Sequence, residues 1–74
     1  MLLILDGRVQ ARALRLAGID AVRLKTLLQC AGIEGERSVL VAALNTEGEL
    51  FVQEKGKDGR TLMLEALRPE EVRW

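Results

Sequence analysis

The sequence lacks most of the residues that carry reaction chemistry. Its 74 residues include no histidine, one cysteine, one proline and only two aromatic side chains, Phe51 and Trp74. A single cysteine excludes an internal disulfide, and without histidine no typical zinc-ligand set is available. Two aromatic rings offer few flat faces for stacking bases or flavins. We therefore expect an aliphatic core, no cofactor and no metal.

The sequence also has no net charge and no long apolar run. Eleven basic residues balance eleven acidic ones, whereas a nucleic-acid-binding domain normally has a basic excess because phosphate neutralisation supplies most of its affinity. The longest apolar runs are five to six residues, far short of the ~20 needed to span a bilayer. We expect one small soluble domain over residues 1–74 and no nucleic-acid partner. Near-zero net charge also removes a barrier to self-association.

Residues 39–54 are the centre of the predicted fold. Residues 39–44 contain no polar side chain, and a polar, glycine-containing segment at 45–48 separates them from a second strand-like run at 49–54. This pattern is typical of a β-hairpin. Because the first run is apolar throughout, we expect it in the middle of a sheet, with both of its faces covered.

The N-terminal part predicts a second hairpin. The apolar residues 2–5 end at Asp6-Gly7, which favours a tight turn because glycine accepts a positive φ without steric cost. A short return strand should follow near residues 8–10. Residues 11–18 combine good helix formers with a terminal glycine and favour a helical turn. The alternative for them is an extension of the preceding strand.

Residues 20–31 form the clearest predicted helix. Asp20 can cap its first N–H groups, and Gly32 is the predicted left-handed stop. Its apolar face, at helical spacing, consists of Leu24, Leu27, Leu28 and Ala31. After the central hairpin, residues 61–67 predict a third adjacent strand, and Pro69 opens a turn of helix. The predicted class is α+β: a small, mainly antiparallel sheet covered on one face by one main helix.

Reaction chemistry has few candidates in this sequence. Cys30 has no histidine to act as its base. Asp6 could form an acid–base pair with Asp20 or Glu65, but Asp6 belongs to a turn and Asp20 caps a helix. The seven glycines form no phosphate-cradling cluster. We predict that the chain is not an enzyme.

Three N-terminal arginines support a different hypothesis. Arg8, Arg12 and Arg15 are close in sequence, in a chain without excess positive charge. They are candidates for an anion site, which makes a small-ligand or anion-sensing domain the alternative function.

With this order of elements, the sequence resembles the cytosolic C-terminal domain of the YetF-like bacterial membrane proteins, a domain of unknown function. Residues 3–9 resemble the pattern LI-x-[DN]-G-[KR]-[IV], and residues 24–33 resemble L-x-x-x-LR-x-x-G-[IV]. Residues 39–52 resemble V-x-x-A-[IV]-L-E-x-x-G-x-L-S-V, and residues 67–72 are similar to a following T-P-x-D-L stretch. The chain departs from these patterns at Gln29, Asn45 and Phe51.

The resemblance implies a domain at the cytoplasmic face of the bacterial membrane, below N-terminal transmembrane helices that are absent from this chain. It implies self-association, and it does not imply an enzymatic activity. We therefore expect a non-catalytic assembly or interaction domain that forms a homo-oligomer. The candidate contact residues are Leu50, Phe51, Val52, Met63 and Trp74. For Trp74, folding back onto the core is the alternative.

Overall fold

The sheet is built from two hairpins joined through their inner strands. The computed structural model of the protein describes residues 1–56 and 59–72. Its strands are β1 (Leu2–Leu5), β2 (Arg8–Val9), β3 (Val39–Leu44), β4 (Glu49–Glu54) and β5 (Thr61–Glu65). All neighbours are antiparallel in the order β2-β1-β3-β4-β5. The predicted α+β class and the central position of β3 are confirmed.

The first hairpin turns at two residues with positive φ. Asp6 and Gly7 have φ values of 48° and 77°, and Leu5 and Arg8 close the turn as partners. Two left-handed residues give a turn whose twist matches that of the flanking strands. The Asp-Gly signal therefore forms the predicted turn, with a return strand of two residues.

Two helices lie between the hairpins. Helix α1 (Ala11–Ala17) ends at Gly18, whose φ is 73°, which confirms a helix over a strand extension. Helix α2 (Ala21–Cys30) begins after Asp20, whose Oδ1 accepts the Arg23 N–H at 2.7 Å. This bond satisfies one of the unpaired donors at the helix start. Short 3₁₀ turns follow at Glu36–Ser38 and Pro69–Glu71.

The core lies between the helices and one face of the sheet. Leu24 and Leu28 of α2 are buried, and Leu27 and Ala31 pack at its margin, so the predicted apolar face is confirmed. They share one cluster with the buried strand residues, which are Leu3, Ile4, Val39, Ala42, Leu44, Leu50 and Val52. Both described helices therefore cover the same face.

The expectation that both faces of β3 are covered is wrong. Val41 and Ala43 are only half-buried, and Leu40 is exposed. An irregularity in the β3–β4 pairing between Val39 and Val41 interrupts, at Leu40, the alternation of side chains between the two faces of the sheet. An unbroken apolar run therefore does not require two covered faces.

The central hairpin turns at residues 45–48. Asn45 Oδ1 accepts the N–H groups of Glu47 and Glu49, each at 2.9 Å. The Gly48 carbonyl accepts two further bonds, from the N–H groups of Ala66 at 3.0 Å and Leu67 at 2.9 Å. The turn thus holds the segment that follows β5.

Candidate interaction surface

The face of the sheet opposite the helices carries a continuous apolar row. In register, Leu2 of β1 lies opposite Ala43 of β3, Ala43 opposite Phe51 of β4, and Phe51 opposite Met63 of β5. Directly opposed residues of antiparallel strands have side chains on the same face. The four side chains therefore form one row across four strands.

A second row runs parallel to the first. Arg8 lies opposite Leu5, Leu5 opposite Val41, Val41 opposite Gln53, and Gln53 opposite Thr61. This row is apolar on β1 and β3 and polar at its ends. We call the apolar part of the two rows the open face; it consists of Leu2, Leu5, Val41, Ala43, Phe51 and Met63.

The open face is exposed to solvent among the described residues. Leu2 is 38% exposed, Leu5 48% and Met63 55%. Val41, Ala43 and Phe51 are half-buried by their neighbours in the sheet. Single exposed apolar side chains are ordinary, whereas a contiguous apolar group is a candidate interaction surface.

Charges flank the open face at two diagonally opposite corners. Glu49 and Glu65 are partners at the end of β4 and β5. Arg8 lies on the opposite edge strand at the other end of the sheet, beside Leu5. The surface is thus acidic at one corner, apolar across the middle and basic at the far corner.

The structure separates the predicted contact residues. Phe51 and Met63 are neighbours on the open face. Leu50 and Val52 are 0% exposed in the core under the helices, so they offer no surface to a partner. Strand alternation places them on the face opposite Phe51. Trp74 lies outside the described residues.

Sequence reasoning missed Leu2 and Leu5, because residues 2–5 read as a wholly apolar strand. A shift in pairing between Leu2 and Ile4 turns both Leu3 and Ile4 towards the core. Leu2 and Leu5 are then left on the open face. No local signal in the sequence marks this irregularity.

The three candidate anion-binding arginines lie on two different elements. Arg8 is on β2, whereas Arg12 and Arg15 are exposed on α1. Arg15 lines a cleft of about 420 Å³ with Arg23 and Glu71, and neither Arg8 nor Arg12 is among its lining residues. The anion-sensing alternative stays a prediction, and this geometry gives it no shared pocket.

Another cleft lies where the tail after β5 meets α2. It has a volume of about 560 Å³, and its charged lining residues are Arg23, Glu47, Glu49, Glu65, Arg68 and Glu71. Arg23 Nη2 donates to the Ala66 carbonyl at 2.9 Å, which ties α2 to the tail. No charged or polar residue in the described part of the chain is buried, so the charges of this cleft are hydrated.

Three further observations concern metal ions, the membrane and the cysteine. Residues 1–56 and 59–72 contain no group of three or more histidine, cysteine, aspartate or glutamate side chains that could hold a metal ion. Within the same residues, neither helix has the length and apolar character needed to cross a membrane. Cys30 is exposed at the end of α2.

No protein-family model, curated protein or solved structure matches this chain. The resemblance to the YetF-like domain therefore stays a prediction from the sequence.

Proposed function

We propose that this chain is a non-catalytic assembly module whose copies associate through the open face. The observation that carries the proposal is the apolar row Leu2–Ala43–Phe51–Met63, which is in register across four strands and exposed at both ends. Removing such a surface from water releases free energy in proportion to its area, at about 25 cal/mol per Å². A second copy of the same face provides a matching apolar partner.

The charges around the open face favour one arrangement of two copies. In a two-fold packing of face on face, the open face of one copy contacts the open face of the other. If the strands of the two sheets cross at nearly right angles, one of the two common geometries for packed sheets, Arg8 of each copy approaches Glu49 and Glu65 of the other. The chain's zero net charge adds no long-range repulsion.

The size of the open face limits the strength of this contact. Four strands of four to six residues, about 4.8 Å apart, span roughly 350 Å². A stable interface buries about 800 Å² on each partner. The face alone therefore supports a weak association, one that becomes effective when copies are held close together.

Membrane attachment would hold the copies close, as the YetF-like resemblance implies. In this proposal, transmembrane helices outside this chain keep the module at the cytoplasmic face of a bacterial membrane. Tethering raises the effective concentration of the copies, so a weak contact suffices. The module's role is then to hold the attached membrane helices together.

Analytical ultracentrifugation of the 74-residue chain tests the proposal. We expect reversible self-association at protein concentrations of roughly 0.1–1 mM, because the interface is below standard size. Leu5→Glu should weaken it on the order of tenfold or more, because a carboxylate would be buried in an apolar contact. The substitution is tolerated in the monomer because Leu5 is 48% exposed and lies opposite Arg8.

Val22→Glu is the matched control. Val22 is an equally apolar, 76% exposed residue, but it lies on α2, away from the sheet. It should leave the association unchanged. A chain that stays monomeric throughout this range, or equal effects of the two substitutions, contradicts the proposal.

A further inference from the structure

The two edges of the sheet differ in length. Strand β2 forms one edge with two residues, whereas β5 forms the other with five, Thr61–Glu65. An edge strand carries a row of backbone groups that can pair with another strand. A five-residue edge is long enough to do so.

In β5, the backbone N–H and C=O groups of alternate residues point away from the sheet. Glu54 donates its N–H to the Arg60 carbonyl at 2.8 Å, and Ala66 donates its N–H to the Gly48 carbonyl at 3.0 Å. Hydrogen-bonded and non-hydrogen-bonded pairs alternate along an antiparallel ladder. The backbone N–H and C=O groups of Thr61, Met63 and Glu65 therefore point away from β4, and no turn, loop or cap hydrogen bond between described residues reaches them.

Strand β5 also lacks the usual protection of an edge. Natural edges carry lysine, proline or a bulge that prevents pairing with another chain. Thr61–Glu65 reads TLMLE, with one charge at its end, and its pairing with β4 continues without a register shift. Thr61, Met63 and Glu65 are all exposed.

We infer that β5 pairs in antiparallel fashion with β5 of a second copy, with the two-fold axis at Met63. In this register Thr61 lies opposite Glu65 of the second copy, Leu62 opposite Leu64, and Met63 opposite Met63. All outward amide groups are used, in about six hydrogen bonds. The two Glu65 carboxylates lie at opposite ends of the paired strands, whereas a register centred on Glu65 would oppose them directly.

Edge pairing extends the proposed assembly function. The biological role of the pairing rests on that function. A two-fold axis perpendicular to the sheet joins two five-stranded sheets into one of ten strands and leaves both open faces on the same side. The joined outer face, with its polar ends included, reaches roughly 700 Å², close to the ~800 Å² per partner of a stable interface. Each open face of the pair can then bind a further copy face to face.

Disulfide cross-linking of the full chain tests the register. Cys30→Ser removes the exposed native thiol, and single cysteines are then introduced by Thr61→Cys, Met63→Cys or Glu65→Cys. Opposed Met63 positions have Cα atoms about 5.5 Å apart, within disulfide range. Two Thr61 positions are offset along the strands by about 13 Å and are out of range.

We expect Met63→Cys to form a disulfide dimer at least tenfold faster than Thr61→Cys or Glu65→Cys alone. An equimolar mixture of the latter two should cross-link through the mixed pair. Val22→Cys in the same background measures the rate of random collision. Equal rates at all positions, or fast cross-linking of Thr61→Cys with itself, overturn the inferred pairing.

The two proposals fail in different ways. If the chain self-associates and responds to Leu5→Glu, but Met63→Cys cross-links no faster than Val22→Cys, edge pairing is wrong and the face contact stands. If Met63→Cys cross-links rapidly and Leu5→Glu leaves the association unchanged, edge pairing stands and the face contact is wrong.

Discussion

The two faces of the sheet are built from alternate residues of the same strands, and their surroundings are opposite. Leu50 and Val52 of β4 are fully buried under the helices, while Phe51 between them lies on the open face. Both faces are apolar at their centres. Because the two described helices lie on one face only, the apolar character of the other is not explained by packing within the described residues. The difference teaches that the covered face gives the fold its stability and the open face is available for contact.

The largest expected effect tests the covered face directly. Leu50→Ala should lower the free energy of unfolding by about 2–5 kcal/mol, because it leaves a cavity in a closely packed core. Leu5→Ala is the matched change on the open face, where the side chain is 48% exposed, and should cost clearly less. Urea unfolding at low protein concentration measures both. Similar losses in the free energy of unfolding for the two variants would show that the covered and open faces do not differ in their contribution to stability.

A second substitution tests how the tail closes the covered face. Gly48 has a φ of 83°, and a Cβ there would collide with the Leu67 carbonyl. Gly48→Ala should lower the free energy of unfolding by about 2–4 kcal/mol. Gly18→Ala is the control, because Gly18 has a similar φ of 73° but a methyl group there would meet nothing within 4 Å; it should cost about 1–2 kcal/mol. Equal costs would show that the Leu67 contact adds nothing.

The start of α2 gives a smaller effect on the same face. Asp20→Ala removes the acceptor of the Arg23 N–H and should cost about 1 kcal/mol. Asp20→Asn keeps a side-chain oxygen at this position and should retain most of the stability. Thermal unfolding followed by circular dichroism compares the three proteins. If Asn and Ala are equally destabilising, the cap is not the source of the effect.

The smallest expected change in monomer stability lies on the open face. Met63→Thr replaces a 55% exposed side chain by one that suits a strand, so the free energy of unfolding at low concentration should change by less than about 0.5 kcal/mol. The rise of the melting temperature with protein concentration, expected for an associating native state, should diminish. Unfolding measured at two concentrations separates these effects. A large loss at low concentration would mean that Met63 belongs to the monomer's core.

Much of the fold could be predicted because its signals are local. Asp6-Gly7 specifies a tight turn, Asp20 begins α2, and leucines at helical spacing mark its buried side. Each signal involves residues within a few positions of one another, where steric and hydrogen-bonding preferences act directly. The strands of the central hairpin follow from the same kind of evidence.

The interaction surface could be predicted only in part, because it depends on pairing between distant segments. Strand alternation separates Leu50 and Val52 from Phe51, but which set lies under the helices is decided by tertiary packing. Both were accordingly wrong as contact residues. Leu2 and Leu5 were missed because the irregular pairing of β1 with β3 is not encoded within β1 itself.

The bonds between Gly48 and the tail have a practical consequence for labelling this protein. Tight hairpin loops are the usual places to insert an epitope or a reporter peptide, since they tolerate added length. Here the Gly48 carbonyl holds the N–H groups of Ala66 and Leu67, so an insertion within residues 45–48 would detach the segment that seals the core. A tag is better placed elsewhere in the chain.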